Sequence, residues 1–444
     1  MATTTAYPGY FVNICCVICG SMRVSAIQRV KQYYQQGLIS QYILLLACLA
    51  GVVGLLASRA LVAISPIVGI VAGLTNPDVR AAVPGWLRNQ SAWLLALLYG
   101  LLLLSGFYTD AWTVWRHELY RKLPLLAIPL AFALAKPLNP RQRYWVGIVF
   151  TVGITAIGVA TAGRYWLSPR SGSEELREAT NLLSVTGIFH IHFGVMLAMA
   201  SVFGMLLGQD TRPVGGRWLL WMSALLSALV LHVLVYRTGL LALYGALLVN
   251  TIRLLFNSRR RALGLLLLVA LGTAPFLAYY TVPSVPRQLA SSYYDIERFY
   301  WHDDINNYSL AKRIAAWHTA IIVAKTEPWL GVGAADATDA MMAQYSWRSY
   351  GLEPRNWIMI HNQYLHFLVA GGLLGLLLWL LVLLAPLAKP CLRRNAYVYN
   401  FLLIQGVAML VDSLLEVQTS FNLFVFCYGF LLVATERHSI EATK

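Results

Sequence analysis

Residues 218–252 read WLLWMSALLSALVLHVLVYRTGLLALYGALLVNTI. Across these 35 residues the only side chain of fixed charge is Arg237. At about 1.5 Å per residue, one helix of this length would run about 50 Å, well beyond a hydrocarbon core of about 30 Å. The stretch therefore divides into two membrane spans, 218–236 and 238–252. The break places Arg237 at a membrane surface.

The same texture runs along the chain. Of 444 residues, 58% are hydrophobic and 12% charged, and the mean hydropathy is +0.61. Soluble domains carry about 25% charged residues. This excludes a soluble globular enzyme, a disordered chain and a disulfide scaffold. A membrane barrel would alternate in segments of about ten residues, whereas these runs are continuous. Helices satisfy their own backbone in lipid, so the sequence predicts an all-α polytopic membrane protein. About 12 transmembrane helices can be drawn, at 41–57, 60–74, 91–107, 123–135, 144–163, 189–207, 218–236, 238–252, 262–281, 361–388, 397–411 and 418–434. The chain then parses into an N-terminal cytoplasmic or interfacial segment 1–40, spans one to nine over 41–281, a long loop 282–360, spans ten to twelve over 361–434, and a tail 435–444.

The net charge is +15. In a soluble protein such an excess would suggest nucleic acid. Here its location gives another reading. The N-terminus, 75–90, 136–143, 208–217, 253–261, 389–396 and the C-terminus hold 19 basic and 4 acidic residues, and the remaining segments hold 15 of each. Excess Lys and Arg mark cytoplasmic connections, so both termini are expected inside. The charge reports topology in a lipid bilayer and calls for no nucleic-acid partner.

Within the first 40 residues, an apolar run from Tyr10 to Gly20 precedes Arg23, Arg29 and Lys31. A signal peptide has the opposite order. An interfacial segment or a translation start at Met22 remain as readings. Cys16-Val-Ile-Cys19 has a CxxC spacing but stands alone in apolar sequence, which favours incidental pairing over a redox or zinc site. None of the six cysteines falls in a segment assigned outside.

The loop 282–360 lies on the outer side. At 79 residues it is long enough to expect its own elements and a function. It is rich in Trp and Tyr, and its charges nearly cancel. Leu310–Lys325 reads as an amphipathic helix with Leu310, Ile314, Trp317 and Ile321 on one face, capped by Asn307 or Ser309. An aromatic belt with a surface helix explains this pattern. So does a platform for a sugar-rich, lipid-borne substrate, and the two are compatible.

Several polar residues stand at the outer surface. Arg237 is an interfacial anchor or an anion-facing group. Arg313 alone is a solvated helix charge. His361 opens the tenth span, and imidazole changes charge nearest neutral pH. His190 and His192 mark the outer end of the sixth span, as interfacial groups or substrate contacts. Asp412 and Glu416 stand at i and i+4, expected on one helix face, either functional or paired with a basic residue of the loop. Asp303-Asp304 and Asp336…Asp339 read as solvated or capping pairs. There is no phosphate-binding Gly-rich loop, His-Glu-x-x-His or Asp-x-Asp, so no metal site and no cofactor is expected.

In chain order, Arg237-x-x-x-Leu241, Arg313-x-x-x-Trp317, Pro328-Trp-Leu-Gly331-Val-Gly333, and His361-Asn362-Gln363-Tyr364-Leu365 with Gly371-Gly372 and Gly375 resemble the O-antigen ligase and Wzy-type polymerase superfamily. Each motif is weak alone; their order, the long loop and the spans make the set specific, over about 218–434. The Gly-Val-Gly run continues as Ala334-Ala335-Asp336 instead of a further Gly-x-Phe, which touches no proposed catalytic residue. The resemblance implies a GT-C-like glycosyltransferase of the bacterial inner membrane, with a periplasmic active site. It implies a donor polysaccharide on undecaprenyl pyrophosphate and a lipid A-core acceptor, with neither nucleotide sugar nor divalent metal. On this reading Arg237 and Arg313 bind pyrophosphate, His361 is the general base, and Asn362, Tyr364 and Trp317 support them. A polymerase or a protein O-oligosaccharyltransferase uses the same donor class. A lipid-linked oligosaccharide transporter fits less well, because transporters place polar sites near the midplane of related halves and no internal repeat is visible here.

Overall fold

The computed structural model describes residues 28–167, 183–211, 214–257, 259–281 and 284–442. The N-terminal apolar run and its Cys15, Cys16 and Cys19, with the candidate start at Met22, lie outside the described residues. Within them the chain is helical, with no strand. The helices are α1 (Leu38–Ala57), α2 (Arg59–Leu74), α3 (Val79–Leu87), α4 (Gln90–Leu104), α5 (Trp112–Arg121), α6 (Pro124–Leu134), α7 (Pro140–Leu167), α8 (His190–Asp210), α9 (Val214–Val233), α10 (Arg237–Leu255), α11 (Arg261–Thr281), α12 (Ser284–Trp301), α13 (Ser309–Thr326), α14 (Ala337–Trp347), α15 (Gln363–Leu384), α16 (Ala396–Ala408), α17 (Gln418–Cys427) and α18 (Ala434–Ala442).

Among the described residues eight helices are long and apolar enough to cross a membrane, or nine if the pair α2 and α3, bent by 115°, forms one broken span. Three other expected spans fall short of this: α11 has 21 residues but counts as apolar only over Arg261–Thr273, and two helices are short. α6 has 11 residues and α16 has 13, against about 20 for a full crossing. The long stretch 218–252 breaks where expected: α9 ends at Val233 and α10 begins on Arg237. The expected tail 435–444 is helical to Ala442, and Glu436 is buried within it.

α8 is the central helix, with 89% of its apolar window buried. In lipid, packing and not hydrophobicity selects partners, so small residues that permit close approach matter most. A Cβ on Gly204 would lie 3.0 Å from the Leu220 carbonyl oxygen of α9, and one on Gly239 of α10 would lie 2.4 Å from that of Gly194.

Contacts gather the connections at two ends. At one, Lys136 lies 3.8 Å from Asp78. There Glu436 accepts the Gln90 and Ser91 amides at 2.8 and 3.0 Å and pairs with Lys389, and Tyr397 donates to Asp210 at 3.0 Å. These belong to the connections expected to be rich in positive charge. At the other end, Tyr108 donates to the Leu330 carbonyl at 3.1 Å and the α12–α14 layer sits over the bundle.

That layer has its own core, including Ile305, Met341, Tyr345 and Ile360. The face of α13 differs from the expected one. Ala311, Ala315, Ala316, Thr319 and Ala320 are buried, whereas Ile321 is exposed. Small side chains let α13 approach its neighbours closely, while Leu310, Ile314 and Trp317 of the expected face are half-buried. Its first turn is also capped differently: Tyr308 is the N-cap, and Asp295 of α12 accepts the Leu310 amide at 3.0 Å.

The two glycine motifs form one clasp. α15 kinks at Gly372, with φ 60° and ψ −158°, which interrupts its internal ladder. The 328–333 turn supplies replacements: Val332 and Gly333 donate to the Val369 and Ala370 carbonyls at 2.9 and 3.1 Å, and Leu373 donates to the Pro328 carbonyl at 2.8 Å. Gly331 sits at φ 68°, and a Cβ there would stand 2.4 Å from the Val369 oxygen. Gly331→Ala should therefore lose at least about 2 kcal/mol, from backbone strain and overpacking together. The check is thermal aggregation of detergent-solubilised protein; an unchanged midpoint would mean the clasp carries no stability.

Candidate active site

α16 ends in a turn, and its last carbonyls need donors. The His361-Asn-Gln-Tyr364 run supplies them. Tyr364 Oη donates to the Gly406 carbonyl at 2.8 Å, the Gln363 amide to Met409 at 2.9 Å, and Asn362 Nδ2 to Leu410 at 2.9 Å. Arg313 Nη1 reaches the Val411 carbonyl at 3.5 Å. Asn362 also caps α15, accepting the Tyr364 and Leu365 amides at 3.0 Å each. Asn362 and Tyr364 thus fasten two helix ends together.

His361 is held in the middle of this arrangement at φ 44°, a strained conformation for a residue with a Cβ. Its Nδ1 lies 2.8 Å from Asp412 Oδ1, which also accepts the Ser413 amide at 2.9 Å. The Asp412 side chain is 10% exposed and that of His361 33%, so the imidazole has an open side. Burial alone would raise the Asp412 carboxyl, but the His361 hydrogen bond, and the nearby His361, His192 and Arg313, hold it below the usual carboxylate range. It is ionised at neutral pH and orients the ring.

Arg237 opens α10 beside the α8 start, because Gly194 and Gly239 bring the two helices into backbone contact. Val235, just before it, also holds a positive φ, 49°. Arg237 and Arg313 are near enough to interact electrostatically, and His190 lies within range of both, and of His192 and Asp412. His192 is buried, with Nδ1 2.7 Å from Ser420 Oγ, so it braces α8 against α17. His190 Nδ1 is buried without a hydrogen-bond partner. The structure thus brings Arg237, Arg313, His361, His190, His192 and Asp412 to one end of the bundle.

Glu416 goes elsewhere. The expected shared helix face with Asp412 does not exist, because α16 ends at Ala408 and a turn and a 3₁₀ segment follow. Asp412 meets His361, while Glu416 meets Lys122 at 3.2 Å, Arg121 at 3.3 Å and His366 at 3.2 Å. Burial alone would raise the Glu416 carboxyl, but His366, Lys122 and Arg121 bring it down to about 2. A depressed carboxyl contributes stability above its unfolded value, near 4.5, and loses it as the pH falls toward 2. Wild type should therefore lose thermal stability through this window relative to Glu416→Gln. Parallel pH curves for the two proteins would contradict this assignment.

Trp317 packs against the outer-layer core, with Nε1 buried and unpartnered. Asp336 holds the turn that leads into α5, accepting the Asp110 and Ala111 amides at 3.1 Å each, and Asp304 closes a turn by accepting the Asn306 amide at 2.9 Å. Among the described residues no group of three or more His, Cys, Asp or Glu is placed to hold a metal ion. The sequence offers Asp412 a functional role or an unspecified basic partner in the loop, and does not point to Ser413, Ser420 or Asp295. Only Asp412 carried a signal, as a carboxylate at a span end.

The fold and this cluster define a polytopic helical membrane protein with two guanidinium groups and a carboxylate-backed imidazole at one end. Residues 222–380 match the family model described as O-antigen ligase. The match includes Arg237, Arg313 and His361 and stops before Asp412. The matched domain supports a glycosyltransferase of the ligase and polymerase type. No curated protein matches the chain.

Proposed function

We propose that the protein is an O-antigen ligase, which transfers polysaccharide from undecaprenyl pyrophosphate to a sugar hydroxyl of lipid A-core at the periplasmic face of the inner membrane. The observation that carries this reading is the convergence of Arg237, Arg313 and the His361–Asp412 pair. The acceptor oxygen attacks sugar C1 as the bond from C1 to the pyrophosphate oxygen breaks, which inverts the anomeric centre. The proton passes to Nε2 of His361, whose Nδ1–H is directed at Asp412. Undecaprenyl pyrophosphate leaves with its charge against Arg237 and Arg313, whose planar donors suit phosphate oxygens and stay protonated. Two fixed positive groups can take the place a metal ion fills in other transferases, so turnover should be unaffected by EDTA. The charge bias of the connections supports a periplasmic site with both termini in the cytoplasm.

Expression in a ligase-null strain tests the acceptor. Polymer on lipid A-core is the expected result. Polymer that stays on the lipid carrier, or appears on protein, would replace the ligase reading by a polymerase or protein transferase.

A further inference from the structure

Among the described residues, the non-glycine residues with positive φ are Val235, His302, Tyr350 and His361. Val235 and His361 belong to the site above. His302 at φ 61° and Tyr350 at φ 55° line a different cavity, of about 340 Å³, in the α12–α14 layer. Such conformations persist in bulky residues only where the surroundings over-determine them, and they gather at functional sites. Asn306 does the fastening here. Its side chain donates to the Gly351 carbonyl at 3.0 Å and accepts the Glu353 amide at 2.9 Å, and its own amide donates to Asp304 at 2.9 Å.

The walls are aromatic. The Phe299 and Tyr350 rings stack at 5.8 Å, and the His318 ring stands against them at 5.3 and 6.2 Å. Tyr300 packs edge-on to Phe299 and is 66% exposed. Polar groups accompany the rings. The Arg348 guanidinium lies over Tyr350 at 4.8 Å, and Asp303 contributes a carboxylate to the lining. The Tyr350 hydroxyl is buried with no hydrogen-bond partner, although buried polar atoms are normally satisfied. A bound hydroxyl would satisfy it.

We propose that this cavity is a saccharide-binding site that holds a glycan ring other than the one that reacts. Ring faces suit the C–H faces of a sugar, and a guanidinium, a carboxylate and a phenol together suit its hydroxyls. The opposite charges of Arg348 and Asp303 disfavour a ligand of one sign only. The volume is at the low end of small-ligand pockets, about 300–1,000 Å³, the scale of a short saccharide. The choice of a saccharide rests on the glycosyl-transfer reading above.

The test uses the full chain carrying His361→Ala, purified in detergent, with saturation-transfer NMR. The probes are core oligosaccharide and O-polysaccharide, each released by mild acid from the lipopolysaccharide of the producing organism. Transfer to the ring protons of at least one probe is expected, and the responding probe assigns the cavity to acceptor or donor. Tyr300→Ala and Arg348→Ala, both at exposed residues, should each weaken the bound signal about tenfold with an unchanged elution profile. No transfer to either probe, or equal transfer in the variants, overturns the cavity. Binding is read on a chain disabled for the reaction, so a separate absence of glycosyl transfer by the parent protein would overturn the functional reading instead.

Discussion

Replacing His361 by Ala should abolish polymer transfer while the protein still inserts and elutes as wild type. General-base catalysis contributes about 10²–10⁴-fold, and the alanine leaves no group that can take the acceptor proton. The surrounding structure argues that the loss will be chemical. The 33%-exposed imidazole side chain bonds only Asp412 among the interactions described for it, while the fastening of α15 to α16 is made by Asn362, Gln363 and Tyr364. Asp412→Asn should give a smaller loss, on the order of tenfold or more, because the ring keeps its place but loses the carboxylate that supports its charged form. Asp412→Glu should recover part of it. A purely structural Asp412 would lower the protein yield in all variants and would not separate Asn from Glu.

The second large effect concerns the arginines. Arg237→Lys and Arg313→Lys should each reduce transfer by roughly 10- to 100-fold, the weight of one or two hydrogen bonds to a charged group, about 1.5–3 kcal/mol. Lysine keeps the charge but loses the planar fork. Arg237 stands at the first residue of α10, and Arg313 makes a long 3.5 Å bond to the Val411 carbonyl; among the described residues neither has an ion-pair partner within 4 Å. Full activity in either lysine variant, measured with the lipid-linked donor, would remove bidentate pyrophosphate contact from the mechanism.

Much of the architecture is legible in the sequence, for a physical reason. A long apolar run with one interruption can only break there, and α9 and α10 meet at Arg237 as the run requires. The α13 face differs from the one periodicity predicts, because hydrophobic periodicity weighs large residues, whereas this helix packs through alanines. The pairing of Asp412 with Glu416 failed because a helix end cannot be read from apolar content alone. The α16 carbonyls are taken up by groups 40 to 100 positions away in the chain, and no local pattern encodes that.

The candidate site divides the same way. Arg237 and His361 are visible as charged or titratable residues at the edges of apolar stretches, and Arg313 as a helix charge in the loop, in an order that resembles a family. The His361–Asp412 pair spans 51 positions and becomes visible only once α15 and α16 are joined. The glycine motifs were legible as motifs, but their work is to replace the backbone bonds lost at the Gly372 kink.

The most direct measurement is reconstitution of the purified protein with undecaprenyl-pyrophosphate-linked glycan and lipid A-core in the presence of EDTA, scored by mass. Glycan joined to lipid A-core, with one undecaprenyl pyrophosphate released per glycan transferred and no product from His361→Ala, is the expected result. An unmodified acceptor with elongated or untouched donor, or full turnover by His361→Ala, would contradict it.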